Sequence, residues 1–204
     1  SATFTIQRAP ASIELHDLVA IYDGNSHTAT ASTLPAGLPV RLTYETSPDL
    51  PIALGRYPIL AEIDDPNYVG TSTGELWLGH NFESWILSAS PPHGMGKTDD
   101  PDQDSISNFL EYAWGLDAAS PDHGLESGIP KFEMNAGGLS LVYRKNLTAT
   151  DLIYEVQTAT DLNGPASWHA AATIDLVISN DGLVETIRAT VVVDSNEPRR
   201  FIRL

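Results

Sequence analysis

Hydrophobic and polar residues alternate along most of this chain in short runs separated by turn residues. In the first third the runs fall at 3–6, 12–15, 28–32, 40–44, 57–63 and 75–78. They are interrupted by Asp23-Gly24, Pro35-Ala36-Gly37, Ser47-Pro48-Asp49 and Asp65-Pro66-Asn67. A period of two with breaks of this kind predicts strands joined by tight turns, and the spacing predicts a small antiparallel sandwich. Alternation returns at 131–134, 139–144, 152–158, 168–171, 174–178, 184–193 and 201–204. The turns there are Gly137-Gly138, Asn163-Gly164-Pro165 and Asn180-Asp181-Gly182, the last with the Asp-Gly pair that favours a tight hairpin. The stretch between these two regions has a different period. Phe82, Trp85 and Ile86 recur at helical spacing, as do Phe109, Leu110, Ala113 and Trp114, and Gly115 stands where a helix would stop. The expected fold is mainly β: two antiparallel β-sandwich domains, at 1–79 and 123–204, joined at 80–122 by a helix, an acidic loop and a second helix.

Composition narrows the function. The 204 residues include no cysteine, which excludes disulfides, thiol catalysis and Cys-ligated zinc. There are 27 acidic residues against 11 basic, a net charge of −16, which opposes attraction to nucleic acid or anionic membrane and favours cations as partners. No apolar run approaches the roughly 18–20 residues that span a bilayer. A chain that starts at Ser1 rather than Met is expected to have lost an export signal already. Catalytic signatures are missing, so no enzyme activity is expected. Gly94-Met95-Gly96-Lys97-Thr98 has the end of a phosphate-binding loop, but Pro91 occupies the place of that motif's first glycine and no strand precedes it. His16, His27, His80, His93, His123 and His169 lack zinc-ligand spacing, and there is no nucleophile elbow. Asn146-Leu147-Thr148 fits a glycosylation sequon, although a turn before a strand accounts for it as well.

The chemistry concentrates in Asp100-Pro-Asp102-Gln-Asp104-Ser-Ile106-Ser-Asn108-Phe-Leu-Glu111. A calcium ion takes six to eight hard oxygen ligands, and a twelve-residue loop supplies them from positions one, three, five, seven, nine and twelve. Those positions hold Asp100, Asp102, Asp104, the carbonyl of Ile106, Asn108 and Glu111. Four carboxylates brought to one point repel, and no Lys or Arg lies between Thr98 and Pro130 to neutralise them. The sixth position departs from the pattern: it holds Ser105, where the sharp turn ordinarily requires glycine, so strain or a lowered affinity is expected. Asp99 and Asp117 are candidates for further ligands. The competing reading is a solvated acidic turn in which Ser107 or Asn108 caps the following helix and Glu111 completes a capping box. It explains Asn108 and Glu111 but not three aspartates at alternate positions.

These residues carry resemblances. The segment from Asp100 to Asp122 is similar to single dockerin-like or thrombospondin-type-3-like calcium loops near the ends of large exported proteins of Verrucomicrobia-type bacteria. In those proteins a Phe-x-x-Trp helix precedes the loop, matched by Phe82 and Trp85, and a Leu-Glu-Tyr-Ala helix follows, matched by Leu110 to Ala113. Residues 10–79 resemble the MBG family of bacterial surface repeats through Tyr22-Asp23-Gly24, Leu34 to Val40 with Thr43-Tyr44, Gly55-Arg56-Tyr57, Asn67 to Gly70 and Gly74-Glu75-Leu76. That resemblance implies an immunoglobulin-like sandwich used in an adhesive or spacer stalk. Tyr154 to Leu162, Trp168 and the Arg199 to Leu204 ending are similar to β-modules that close such exported proteins.

The reading is thus an extracellular, cell-surface bacterial module of structural or assembly type, stabilised by Ca2+. Two alternatives remain open: an adhesin or carbohydrate-binding module using Trp77 or Trp168, and the non-catalytic tail of an exported hydrolase. Residues 1–6, Ser1 through Ile6, resemble the strand at 72–78, and Phe4 and Ile6 share one face. This strand has two candidate partners, a sheet edge of its own first domain or a sheet edge of another copy, and the second would generate a filament where the rotation does not close a ring.

Overall fold

A computed structural model describes residues 7–91, 93–121, 128–135, 138–164, 167–192 and 201–204. The chain divides into two compact units, Ser1–Gly79 and His80–Leu204. It is mainly β with two short helices, as the alternation predicts. The strand expected at 3–6 lies outside the described residues.

The first unit contains β1 (Ala9–Pro10), β2 (Ser12–His16), β3 (Val19–Ile21), β4 (Thr30–Leu34), β5 (Val40–Tyr44), β6 (Gly55–Ile63), β7 (Tyr68–Val69) and β8 (Thr71–Gly79). A four-stranded sheet has the order β3-β8-β6-β5, and β2 pairs with β4 across the core from it. Alternation does the sorting. Ile59, Ala61 and Ile63 of β6 are buried, and opposite them in the ladder stand Tyr44, Leu42 and Val40. Tyr44 is buried with its hydroxyl satisfied: it accepts from the Ala29 N–H at 2.9 Å and lies 2.8 Å from Thr28 Oγ1. Not every pairing is antiparallel. β3 runs parallel to β8, and β1 runs parallel to β7. After β2 the chain bends at Asp17, at φ 56°, and leaves the small sheet for the edge of the large one. Gly70 marks a close approach, since a Cβ there would lie 2.1 Å from the Ala11 carbonyl oxygen.

The second unit begins with α1 (Phe82–Ala89) and α2 (Asn108–Trp114). It continues with β9 (Lys131–Asn135), β10 (Gly138–Asn146), β11 (Gln157–Ala159), β12 (His169–Ala170), β13 (Thr173–Asn180), β14 (Val184–Val191) and β15 (Phe201–Arg203). The antiparallel sheet β13-β14-β10-β9 packs on a smaller sheet, β12-β11-β15. Leu141, Tyr143, Val156, Ile187, Ala189, Val191 and Ile202 form their shared core. The segment read from the sequence as a connector between sandwiches is built into this unit. Phe82, Trp85, Ile86, Tyr112 and Ala118 cluster with Ala149, and the Tyr112 ring lies 5.2 Å from that of Trp85 and 5.7 Å edge-on from that of Phe82. Aromatic rings at helical spacing need a partner surface, and each helix supplies the other's.

α2 is fixed to the sheet at its C-terminal end. A helix leaves its last carbonyls without intrahelical partners. Here three side chains donate to them: Asn146 Nδ2 to Tyr112 O at 2.8 Å, the Tyr154 hydroxyl to Ala113 O at 2.5 Å and Arg144 Nη2 to Gly115 O at 3.1 Å. Burial pushes the Tyr154 hydroxyl up to about 12, which keeps it a donor across the neutral range. Gly115 takes φ 62°, the left-handed stop expected of a helix C-terminal glycine. Asn146 is buried, and its Oδ1 also accepts from the Thr148 N–H and hydroxyl. Its amide therefore serves the helix end.

Candidate metal centre

The loop between α1 and α2 is organised by polar atoms. Asp100 Oδ1 accepts from the Asp104 N–H at 3.2 Å, and Asp100 Oδ2 accepts from the Ser105 N–H at 3.0 Å. Asp104 Oδ1 accepts from the Ile106 N–H at 2.7 Å. These bonds wind the chain around the first aspartate, and Gln103 and Ser105 take φ 62° and 76° to follow it. Ser105 therefore adopts the left-handed conformation for which the sixth position normally carries glycine, at a cost of roughly 1 kcal/mol. Ile106 anchors the loop by burying its side chain against Ala113 and Trp114.

The winding brings Asp100, Asp102 and Asp104 together, with one carboxylate oxygen from each lying within 4.8 Å of the others. Desolvation, followed by the charge of Asp104, raises the Asp102 carboxyl above the usual range. Its Oδ2 is buried and receives no hydrogen bond among the described residues. Asn108 and Glu111, on the first turn of α2, are fully buried. Asn108 Nδ2 donates to Gly94 O at 3.0 Å and Gly96 O at 2.9 Å, while its buried Oδ1 has no hydrogen-bond donor among the described residues. Glu111 lies outside the three-aspartate group.

Helix capping accounts for less of this arrangement. Ser107 is the N-cap residue, yet its side chain makes no capping hydrogen bond. Loop carbonyls serve the first helical N–H groups instead: Asn108 N–H donates to Asp99 O at 2.9 Å and Phe109 N–H to Lys97 O at 3.0 Å. Asp99 turns away to accept from the Gly96 N–H at 2.9 Å, and Asp117 accepts from the Ala119 N–H at 3.0 Å. Sequence reasoning missed Gly94 and Gly96. A Cβ at either would lie about 3 Å from the Asp99 side chain, and their carbonyls orient Asn108. The neighbouring Lys97 Nζ lies 5.2 Å from the centre of the Phe82 ring and 5.5 Å from that of Phe109, so this lysine packs its charge against the aromatic rings of both helices.

The chemistry of the set suits a hard divalent cation. It offers only oxygens, it crowds like charges, and it buries two acceptor oxygens that have no donor among the described residues. No other group of three or more metal-ligating side chains is found among the described residues.

Residues 11–81 match the family model of the MBG domain, a repeat type of bacterial surface proteins. The match ends as α1 begins and does not reach the acidic loop. No curated protein and no solved structure matches the chain. Among the described residues no helix is long and apolar enough to cross a membrane.

Proposed function

We propose that this chain is a calcium-stabilised, non-catalytic structural module of an exported bacterial surface protein. The observation that carries the reading is the convergence of Asp100, Asp102 and Asp104 beside the buried Asp102 Oδ2 and Asn108 Oδ1, neither of which has a hydrogen-bond donor among the described residues. Asp100, Asp102, Asp104, the Ile106 carbonyl, Asn108 and Glu111 would hold the ion. The ion would supply positive charge where carboxylates are crowded, and its role is stability rather than reaction. Because Asn108 and Glu111 belong to α2, and α2 is bonded to Asn146, Tyr154 and Arg144, the ion would tie the loop to the sheet of the second unit. The MBG domain at 11–81, a surface-repeat type that is generally non-catalytic, supports both the placement at a bacterial cell surface and the structural role.

The adhesin alternative is weakened by the aromatic residues it would use. The Arg56 guanidinium lies 4.3 Å over the Trp77 ring and that of Arg203 lies 4.3 Å over the Trp168 ring, so each indole already stacks on a cation of its own chain. Calorimetric titration of the chelated protein with calcium tests the main reading. One site is expected, and no heat at millimolar calcium, the weak end of extracellular sites, would overturn it.

A further inference from the structure

Among the described residues, the two sheets of the second unit do not cover each other along one edge. Phe132 and Met134 of β9 stand opposite Leu141 and Leu139 of β10, and directly opposed residues share a face. Leu141 is 1% exposed and lies in the core, with Leu139 packed against that core, yet Phe132 is 64% and Met134 83% exposed. The core-facing stripe of the larger sheet thus runs out beyond the smaller one, whose strands are two or three residues long. Beside Phe132 lies a groove of about 600 Å³, lined also by Leu110 and Trp114 of α2 and by Leu152, Ile153 and Leu204. β9 is outermost in its sheet and β15 in the other, and among the described residues no strand pairs with either outer edge. The opposite edge of the larger sheet, β13, is less suited to pairing, because a register shift between Val177 and Ser179 interrupts it.

We propose that this groove accepts an extended strand, and that its occupant is residues 1–6 of a second copy of this chain, added along β9. An occupant must bring backbone donors and acceptors for the β9 edge and apolar side chains at alternate positions for the stripe. In Ser-Ala-Thr-Phe-Thr-Ile, Phe4 and Ile6 have the two-residue spacing of Phe132 and Met134, which allows two apolar cross-strand pairs. The other longer stretches outside the described residues, 122–127 and 193–200, carry carboxylates and do not alternate. A segment with no carboxylate also adds no side-chain charge to a groove lined by both Glu155 and Arg203. A chain's own strand, tethered at Ala9, reaches no further than about 25 Å, a restriction that a second copy does not carry. Donor and acceptor are different surfaces, so the contact is heterologous and repeats from copy to copy, into an open row where its rotation does not close a ring. Leu110 and Trp114 stand on α2 beside Asn108 and Glu111. The calcium dependence of the groove therefore rests on the metal reading above, whereas the groove itself does not.

The absence of cysteine makes the test direct. Two full-length double variants, Phe4→Cys with Phe132→Cys and Phe4→Cys with Met134→Cys, cover neighbouring registers and are oxidised mildly in calcium. At least one is expected to give a non-reducing ladder of dimers, trimers and larger species, while single-cysteine chains stop at dimers. Phe132→Glu in the cysteine-free chain is expected to reduce the assembled fraction by about tenfold, the size of effect typical of an aromatic anchor, with calcium titration unchanged. A ladder that persists without calcium, in a chain that shows no calcium site, keeps the strand proposal and discards the metal reading. Three results would overturn the proposal: no ladder from either double variant while calcium titrates one site, a disulfide formed only within single chains, or a Phe132→Glu chain that assembles like its parent.

Discussion

Asp23 in the first unit and Asp102 in the second both sit in tight polar loops, yet their carboxyls move in opposite directions. Donors surround Asp23: the Asn25 side-chain amide, the Asn25 N–H and the His27 ring together lower its carboxyl to about 2. Asp102 is partly buried beside other carboxylates and receives only a long bond from the Asp104 N–H at 3.4 Å, and its carboxyl is raised. A carboxylate supplied with N–H groups is content as an anion, whereas one crowded by its own kind needs a proton or a cation. The acidic count of a loop therefore says little about metal binding until its donors are counted.

Calcium removal tests that difference most strongly. Saturation at about 100 times Kd adds roughly 2.7 kcal/mol to the folded state, enough to move the melting of the second unit by on the order of 10 °C. Scanning calorimetry with calcium and with chelator should show that transition move while the transition of the first unit, whose Asp23 loop already has its donors, stays in place. Equal shifts in both would mean a general salt effect and would dissolve the contrast between the loops.

Single substitutions sharpen the register. Glu111→Gln should weaken calcium binding by roughly tenfold or more, about 1.4 kcal/mol, because it removes a ligand capable of contributing two oxygens. Asp99→Asn should change it far less, since Asp99 is directed at the Gly96 N–H. Equal losses in a side-by-side titration would show that the ligands had been assigned in the wrong register.

A gain is expected at the sixth position. Ser105 holds φ 76°, so Ser105→Gly relieves left-handed strain but also loosens the unfolded chain. The net effect should be a stabilisation of about 0.5 kcal/mol with tighter calcium binding. A variant that binds more weakly would mean that the serine side chain itself contributes to the loop.

What the sequence displays and what it hides divide along physical lines. The aspartates at alternate loop positions were legible because local winding alone brings them together. The helices were legible because Phe82, Trp85 and Ile86 share one face. The roles of Gly94 and Gly96 were not, since they act through carbonyls on a residue twelve or fourteen positions away. β1, β3 and β7 are too short to show alternation, and the parallel course of β3 follows from a bend at Asp17 that no periodicity encodes. At 152–158 the alternation is real, for Leu152, Tyr154 and Val156 all pack on core clusters, but only Gln157–Ala159 joins a ladder. Alternation reports which side chains are buried, and pairing is a separate property of the backbone.

The smallest expected effect lies at Asp23. Its Oδ1 accepts from the Asn25 N–H at 2.9 Å and lies 2.9 Å from His27 Nε2, while its Oδ2 accepts from Asn25 Nδ2 at 3.1 Å. The donors stabilise the anion in the folded chain, so the native state binds a proton less readily than the unfolded one. The resulting stabilisation is fully present above the unfolded value near 3.8 and is lost as pH falls through about 2. Solvent screens an exposed loop, which makes titration by NMR a better probe than melting. The Asp23 carboxyl should titrate near 2, and Asn25→Ala, which removes the side-chain donor but keeps the backbone one, should move it part of the way back towards 3.8. If Asn25→Ala left the titration where it was, the depression would come from the remaining donors, and the first half of the comparison with Asp102 would need a different cause.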